Sequence, residues 1–176
     1  MMRPQLQDDP FLREVRRATL ARRLICHGVR TEMIGRLTGL TRNRLATVRR
    51  RLMVADEMRP RGPMRSALDV FRGSALGRTE GAALISLALA AKLFDSAQAD
   101  EAFDPLEHAE WLCDAYEAYR AVIPESRAEL EDFILLYRAI TVSHSLLIKT
   151  CRTCRCLILI TPFESRRECW HCDHHR

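Results

Sequence analysis

From Phe11 to Cys26 the apolar residues Phe11, Val15, Ala18, Ala21, Leu24 and Ile25 recur at spacings of three and four. That is the period of one helix face. Arg13, Arg16, Arg17, Arg22 and Arg23 occupy much of the remainder, and Gly28 is a stop signal. Thr31 is placed to cap a second helix, Glu32 to Thr38, which Gly39 ends. Leu40-Thr41 then leads into a third helix, Arg42 to about Ala55. Further on, the pattern predicts helices over Ser66 to Phe71, Glu80 to Ala97, Pro105 to Ala121 and Glu125 to Ile148. Leu112, Tyr116 and Tyr119, then Leu130, Phe133, Ile134, Tyr137, Ile140 and Leu147, supply the inner stripe of the last two.

The short helix, glycine turn and following helix match the helix-turn-helix pattern. Its demands are a small residue where the helices cross, a left-handed turn and a few apolar contacts between them. Gly35, Gly39, and Ile34, Leu40, Leu45 and Val48 meet those demands. Thr41 as N-cap leaves Arg42, Asn43, Arg44, Thr47 and Arg50 on the outer face of the second helix. Arg forks to guanine or phosphate and Asn pairs with adenine, so these are groove-contacting chemistries. Arg49, Arg50 and Arg51 divide between phosphate contacts and solvent.

Charge sharpens this picture. The 176 residues carry a net +5, but residues 1–65 stand at +10, residues 66–148 at −8 and residues 149–176 at +3. A basic head of this strength points to a polyanion, because Arg gains affinity by displacing counterions condensed on phosphates. Glu107, Glu110, Asp114 and Glu117 form an acidic ridge at helical spacing, read as a solvated face before a docking face or a catalytic pair. Pro60-Arg61-Gly62-Pro63 breaks the chain between head and middle. No apolar run follows the N-terminus and none reaches the roughly 20 residues of a bilayer span. The expectation is a cytoplasmic protein with no membrane partner, whose seven cysteines are metal ligands and free thiols.

Cys151-x2-Cys154, fourteen intervening residues and Cys169-x2-Cys172 are spaced for one tetrahedral zinc held by four thiolates. Two thiolates from one tight turn fill two corners, and the second turn fills the others. The strand-like run Cys156 to Ile160 and the turn around Pro162 make the arrangement ribbon-like. Cys156, His171, His174 and His175 lie close enough in sequence to compete. Cys156 is read as a buried thiol at the strand start, and Cys26 and Cys113 as core cysteines.

His108-Ala109-Glu110 followed by Cys151-x2-Cys154 superficially copies the zinc nucleobase deaminases. Thr150 stands where that signature has Pro, forty residues separate Glu110 from Cys151, and a second cysteine pair closes the site. A closed four-thiolate site has no position for activated water, so no enzyme is expected.

The expected fold is mainly α, a helical domain with a helix-turn-helix-like segment closed by a small C-terminal zinc-ribbon-like module. Its parts are a basic head, 1–59, with that segment at 31–52; a connector, 60–65; an acidic helical middle, 66–149; and the four-cysteine module, 150–176. In this order the chain resembles the FlhC family, the C subunits of the flagellar master transcriptional activator of proteobacteria. The resemblance rests on the leading helix with Leu24-Ile25 and Gly28, the segment Leu40 to Leu45, the Pro60 to Pro63 connector, Ala115-Tyr116-Glu117-Ala118-Tyr119 and the cysteine pairs. It implies a DNA-binding activator subunit that works in a heterohexamer with the flagellar D subunit, binds double-stranded flagellar promoters and recruits RNA polymerase. It also implies one structural zinc per chain on Cys151, Cys154, Cys169 and Cys172. Members of that family can continue as a basic tail beyond the second pair, whereas four residues follow Cys172 here. The alternative is a zinc-dependent adaptor that binds protein or RNA without reading DNA sequence.

Overall fold

Asp9 opens the first helix, its carboxylate accepting the Phe11 N–H at 2.8 Å, and Pro10 begins α1 (Pro10–Cys26), where a missing N–H costs nothing. The computed structural model describes residues 9–53, 66–96 and 105–174, so the Pro60 to Pro63 connector and His175 lie outside the described residues. Only the C-terminal half of the α1 stripe is inward. Leu20, Ala21, Leu24 and Ile25 are buried, while Phe11, Val15 and Ala18 are exposed. Gly28, at φ +73°, ends the helix, and the Val29 N–H returns to the Leu24 carbonyl at 2.9 Å.

α2 (Thr31–Thr38) begins at Thr31 itself, with Arg30 at the N-cap. Thr31 was expected to be the cap. Its hydroxyl instead accepts from Arg49, and a distant carboxylate serves the helix start: Glu131 accepts the Arg30 N–H at 2.8 Å and pairs with the Arg30 guanidinium. Gly39, at φ +70°, makes the turn, and the Thr41 side chain caps α3 (Arg42–Arg51). A Cβ on Gly35 would lie 3.4 Å from the Leu40 carbonyl oxygen, so the close approach is to the turn backbone. Ile34, Leu40 and Leu45 are buried and Val48 packs against them.

In the acidic middle, Ser66 caps α4 (Ala67–Arg72) and Ser74 caps α5 (Ala75–Ala90). The helix expected from Glu80 to Ala97 therefore starts earlier, and it breaks at Lys92, φ +57°, before the short α6 (Leu93–Ser96). α7 (Pro105–Val122) follows the expected span closely. α8 (Leu130–Thr141) is much shorter than the expected Glu125 to Ile148. A Glu129–Asp132 capping box starts it, and the chain turns away through His144, φ +49°. Leu147–Thr150 then forms β1, paired antiparallel with β2 (Leu157–Ile160) in the register Leu147 to Ile160. A short helix, α9 (Trp170–His174), follows.

One continuous core runs through the basic and acidic halves, from Leu20, Leu24 and Ile34 to Leu112, Tyr119, Phe133 and Ile134. The change of charge near residues 60–65 is therefore not a division of the core. A smaller cluster of Cys151, Ile158 and Ile160 forms under the hairpin, with Leu147 beside it rather than in the α8 stripe. Leu159 points the other way and joins the helical core. A Cβ on Gly81 of α5 would come within 2.8 Å of Leu159 Cδ1, so β2 rests almost on the helix backbone. Arg72 to Glu164 at 2.6 Å and Arg78 over the Trp170 ring also tie the cysteine end to the helices. No described helix is long and apolar enough to cross a membrane.

Candidate metal centre and basic helix face

The first cysteine pair sits on a tight turn between β1 and β2. The Cys151 N–H donates to the Cys156 carbonyl at 2.7 Å and the Arg155 N–H to the Cys151 carbonyl at 3.1 Å, with Arg155 at φ +65°. This closure directs both side chains to one side. The second pair lies at the start of α9, where the Cys169 N–H donates to Cys151 Sγ at 3.3 Å and the Cys172 N–H to Cys169 Sγ at 3.4 Å.

The sulfurs of Cys151, Cys154, Cys156 and Cys169 all lie within 4.8 Å of one another. Cys154 Sγ is 3.3 Å from Cys156 Sγ and 3.6 Å from Cys169 Sγ. Four thiolates around a tetrahedral ion with metal–sulfur bonds of about 2.3 Å stand about 3.7 Å apart, so the spacing fits a soft dication. Three of the four expected ligands are in this group. Cys156 is the other member of this group, because the chain bends back at Arg155 and brings it, exposed, beside Cys154, while the Cys172 sulfur also contacts Cys154, Cys169 and Cys151. The Cys-x-Cys spacing after Cys154 was the available signal.

The electrostatics are those of crowded thiols. Backbone N–H groups of Cys154, Cys169 and Thr153 lower Cys151 to about 6, and N–H and thiol contacts from Cys156 lower Cys154. Desolvation and its neighbours Cys154 and Cys169 push Cys156 up, and contacts with Cys154 and Cys169 push Cys172 up to about 12. Adjacent thiolates cannot all ionise without a compensating cation. A dication would supply that compensation, and its binding would expel the remaining protons.

α3 holds the residues expected to meet nucleic acid. Thr41, Arg42, Asn43, Arg44 and Arg50 are exposed and Thr47 is half-buried, its hydroxyl donating to the Asn43 carbonyl and accepting from Arg50. Arg44 pairs with Glu14 of α1. Arg49 departs from the expected phosphate role. It is 6% exposed, and its guanidinium donates to the Thr31 hydroxyl and the Val29 carbonyl. It lies four residues after Leu45, on the inward stripe of the helix.

The acidic ridge of α7 was expected to be solvated, yet it faces α1. Arg16 binds Glu110 at 2.6 Å, and Arg23 bridges Asp114 at 2.6 Å and Glu117 at 2.9 Å. His27 meets Glu117 at 2.9 Å. Part of the basic head is thus neutralised within the molecule. Glu110 is engaged by Arg16, and His108 packs on the Tyr137 ring at 4.7 Å. Cys113 is buried as expected, whereas Cys26 is exposed because it falls on the outer side of the last α1 turn.

No protein-family model matches this chain, and no curated protein matches it.

Proposed function

We propose that the chain is a DNA-binding subunit of a bacterial transcriptional activator, of the flagellar C-subunit kind, with one structural zinc at its C-terminal end. The observation that carries the reading is the outer face of α3. Thr41 caps it, the left-handed Gly39 turn precedes it, and Arg42, Asn43, Arg50 and Arg51 stand exposed along it. In this reading α2 and α3 are a helix-turn-helix, with the N-terminal residues of α3 entering the major groove. Arg42 and Asn43 read base edges, Arg50 and Arg51 contact phosphates, and Arg44 exchanges Glu14 for the duplex. Arg49 positions α3 from within.

Zinc is preferred over other soft ions because an all-thiolate tetrahedral set is typical of structural zinc. With all four positions taken by sulfur, the ion has no place for activated water, so its role is to hold the hairpin and α9 together. The functional unit is a cytoplasmic hetero-oligomer with the flagellar D subunit, acting on promoter DNA and RNA polymerase.

The test is binding by the purified complex with the D subunit, at fixed salt, to a flagellar promoter and to random duplex. Asn43→Ala should relax promoter preference by about 1–3 kcal/mol. Arg50→Ala should weaken both duplexes alike and reduce the salt slope by about 1. A wild-type complex that bound both duplexes equally would refute the assignment, and tighter binding to structured RNA would favour an adaptor that does not read DNA.

A further inference from the structure

A tetrahedral ion takes four sulfurs, and five cysteines converge at this end of the molecule. Cys151, Cys154 and Cys169 are fixed by the two turns and by N–H bonds to their sulfurs. The fourth position has two claimants, Cys156 within the compact group and Cys172 on the second turn. Whichever binds, one thiol remains beside the centre. Cys156 is exposed, its sulfur is 3.3 Å from Cys154, and both border a cavity of about 410 Å³ walled by Ala82 and Ala83 of α5.

We propose that Cys156 and Cys172 alternate as the fourth metal ligand, and that Cys156, when unbound, is a hydroperoxide-modified thiol whose disulfide with Cys154 expels the metal. The cavity admits a small polar oxidant, while buried Cys151 is shielded from it. The Cys156 sulfur attacks one peroxide oxygen, forming an S–O bond and breaking the O–O bond, and the thiol proton leaves with the first water. The Cys154 thiolate then attacks the sulfenic sulfur. An S–S bond forms, the S–O bond breaks, and the departing hydroxide takes a proton from solvent as the second water. Each sulfur gives one electron and the peroxide accepts two. Removing Cys154 as well as Cys156 leaves three ligands at most, too few to close the site.

The experiment uses the full chain loaded with zinc or with cobalt(II), without DNA or partner, so its outcome is independent of the proposed DNA reading. Cys156→Ser and Cys172→Ser should each bind one ion and give the cobalt absorption of a four-thiolate site. Stoichiometric hydrogen peroxide, followed with a chromogenic zinc chelator, should release zinc from wild type at least about tenfold faster than from Cys156→Ser. Tryptic digestion of the oxidised wild type should yield residues 153–155 disulfide-linked to residues 156–166, and dithiothreitol with added zinc should restore the site. Equal release from wild type and Cys156→Ser overturns the proposal. So does a Cys172→Ser protein that folds, by its far-UV circular dichroism, yet lacks the four-thiolate spectrum while Cys156→Ser retains it. Because Cys156→Ser keeps Cys172, the rate comparison stands even where Cys172→Ser does not fold.

Discussion

Arg49 stands beside two exposed arginines, yet its environment is that of a core residue. Helical geometry places it on the same face as Leu45 and Leu52, and the groups it reaches, the Thr31 hydroxyl and the Val29 carbonyl, lie at the start of α2. It therefore ties α3 to the beginning of the preceding helix. Arg49→Ala should cost about 1–3 kcal/mol, because it leaves shielded acceptors without their donor. Arg50→Ala should change stability by no more than about 0.5 kcal/mol. Urea denaturation of the two variants checks this, and equal midpoints would refute the inward role. The three consecutive arginines looked alike in sequence. Only the 3.6-residue period, followed through Leu45, Val48 and Leu52, distinguishes the middle of the helix surface from its buried stripe.

Among the elements, α2 and α8 are joined by a carboxylate that neither helix signals on its own. Glu131 lies in the first turn of α8 and is 3% exposed, and it serves both the backbone and the side chain of Arg30. Its own charge is balanced by that one guanidinium, so the pair holds the start of α2 against the start of α8. Glu131→Ala should destabilise by about 3–5 kcal/mol, nearer the lower value because the Arg30 side chain is partly exposed. Glu129→Ala, which removes only one side of the capping box, should cost about 1 kcal/mol. Thermal unfolding of both variants separates the cases, and comparable losses would show that Glu131 acts as an ordinary first-turn acid. The same comparison explains the misplaced cap. Thr31 has the right chemistry, but a partner one hundred and one residues away supplies a stronger acceptor at the preceding residue.

Across the whole molecule, the ion pairs between α1 and α7 and the shared core make the basic and acidic halves one structure, and this sets its response to acid. Burial holds His108 down to about 4 from 6.5. Between those values the unfolded chain binds the proton and the folded chain does not, so stability falls as pH drops from about 6.5 to 4. Burial pushes Glu117 up, but hydrogen bonds from Arg23 and His27 outweigh it and hold the carboxyl below its ordinary value. Its stabilising contribution is present above the unfolded carboxyl range, near 4.3, and is lost as pH falls through the lower folded value. Denaturation between pH 7 and 4.5 should therefore show declining stability, and His108→Phe should flatten the slope. An unchanged slope in that variant would assign the decline to other groups.

Local pattern alone determined the helical character of the chain, the Gly39 turn, the Thr41 cap and three of the four grouped cysteines. Each depends on residues within one or two turns of one another, whose spacing constrains the backbone directly. Tertiary structure decided the rest. Helix α8 ended early because Leu147 to Thr150 found a strand partner in Leu157 to Ile160. Glu110, Asp114 and Glu117 of the acidic ridge pair with α1 because that helix offers arginines at matching height. Cys156 joined the cluster because the turn at Arg155 folds it back onto Cys154. In each case the deciding group lies on another segment or beyond a turn, and periodicity carries no information about which surfaces will meet.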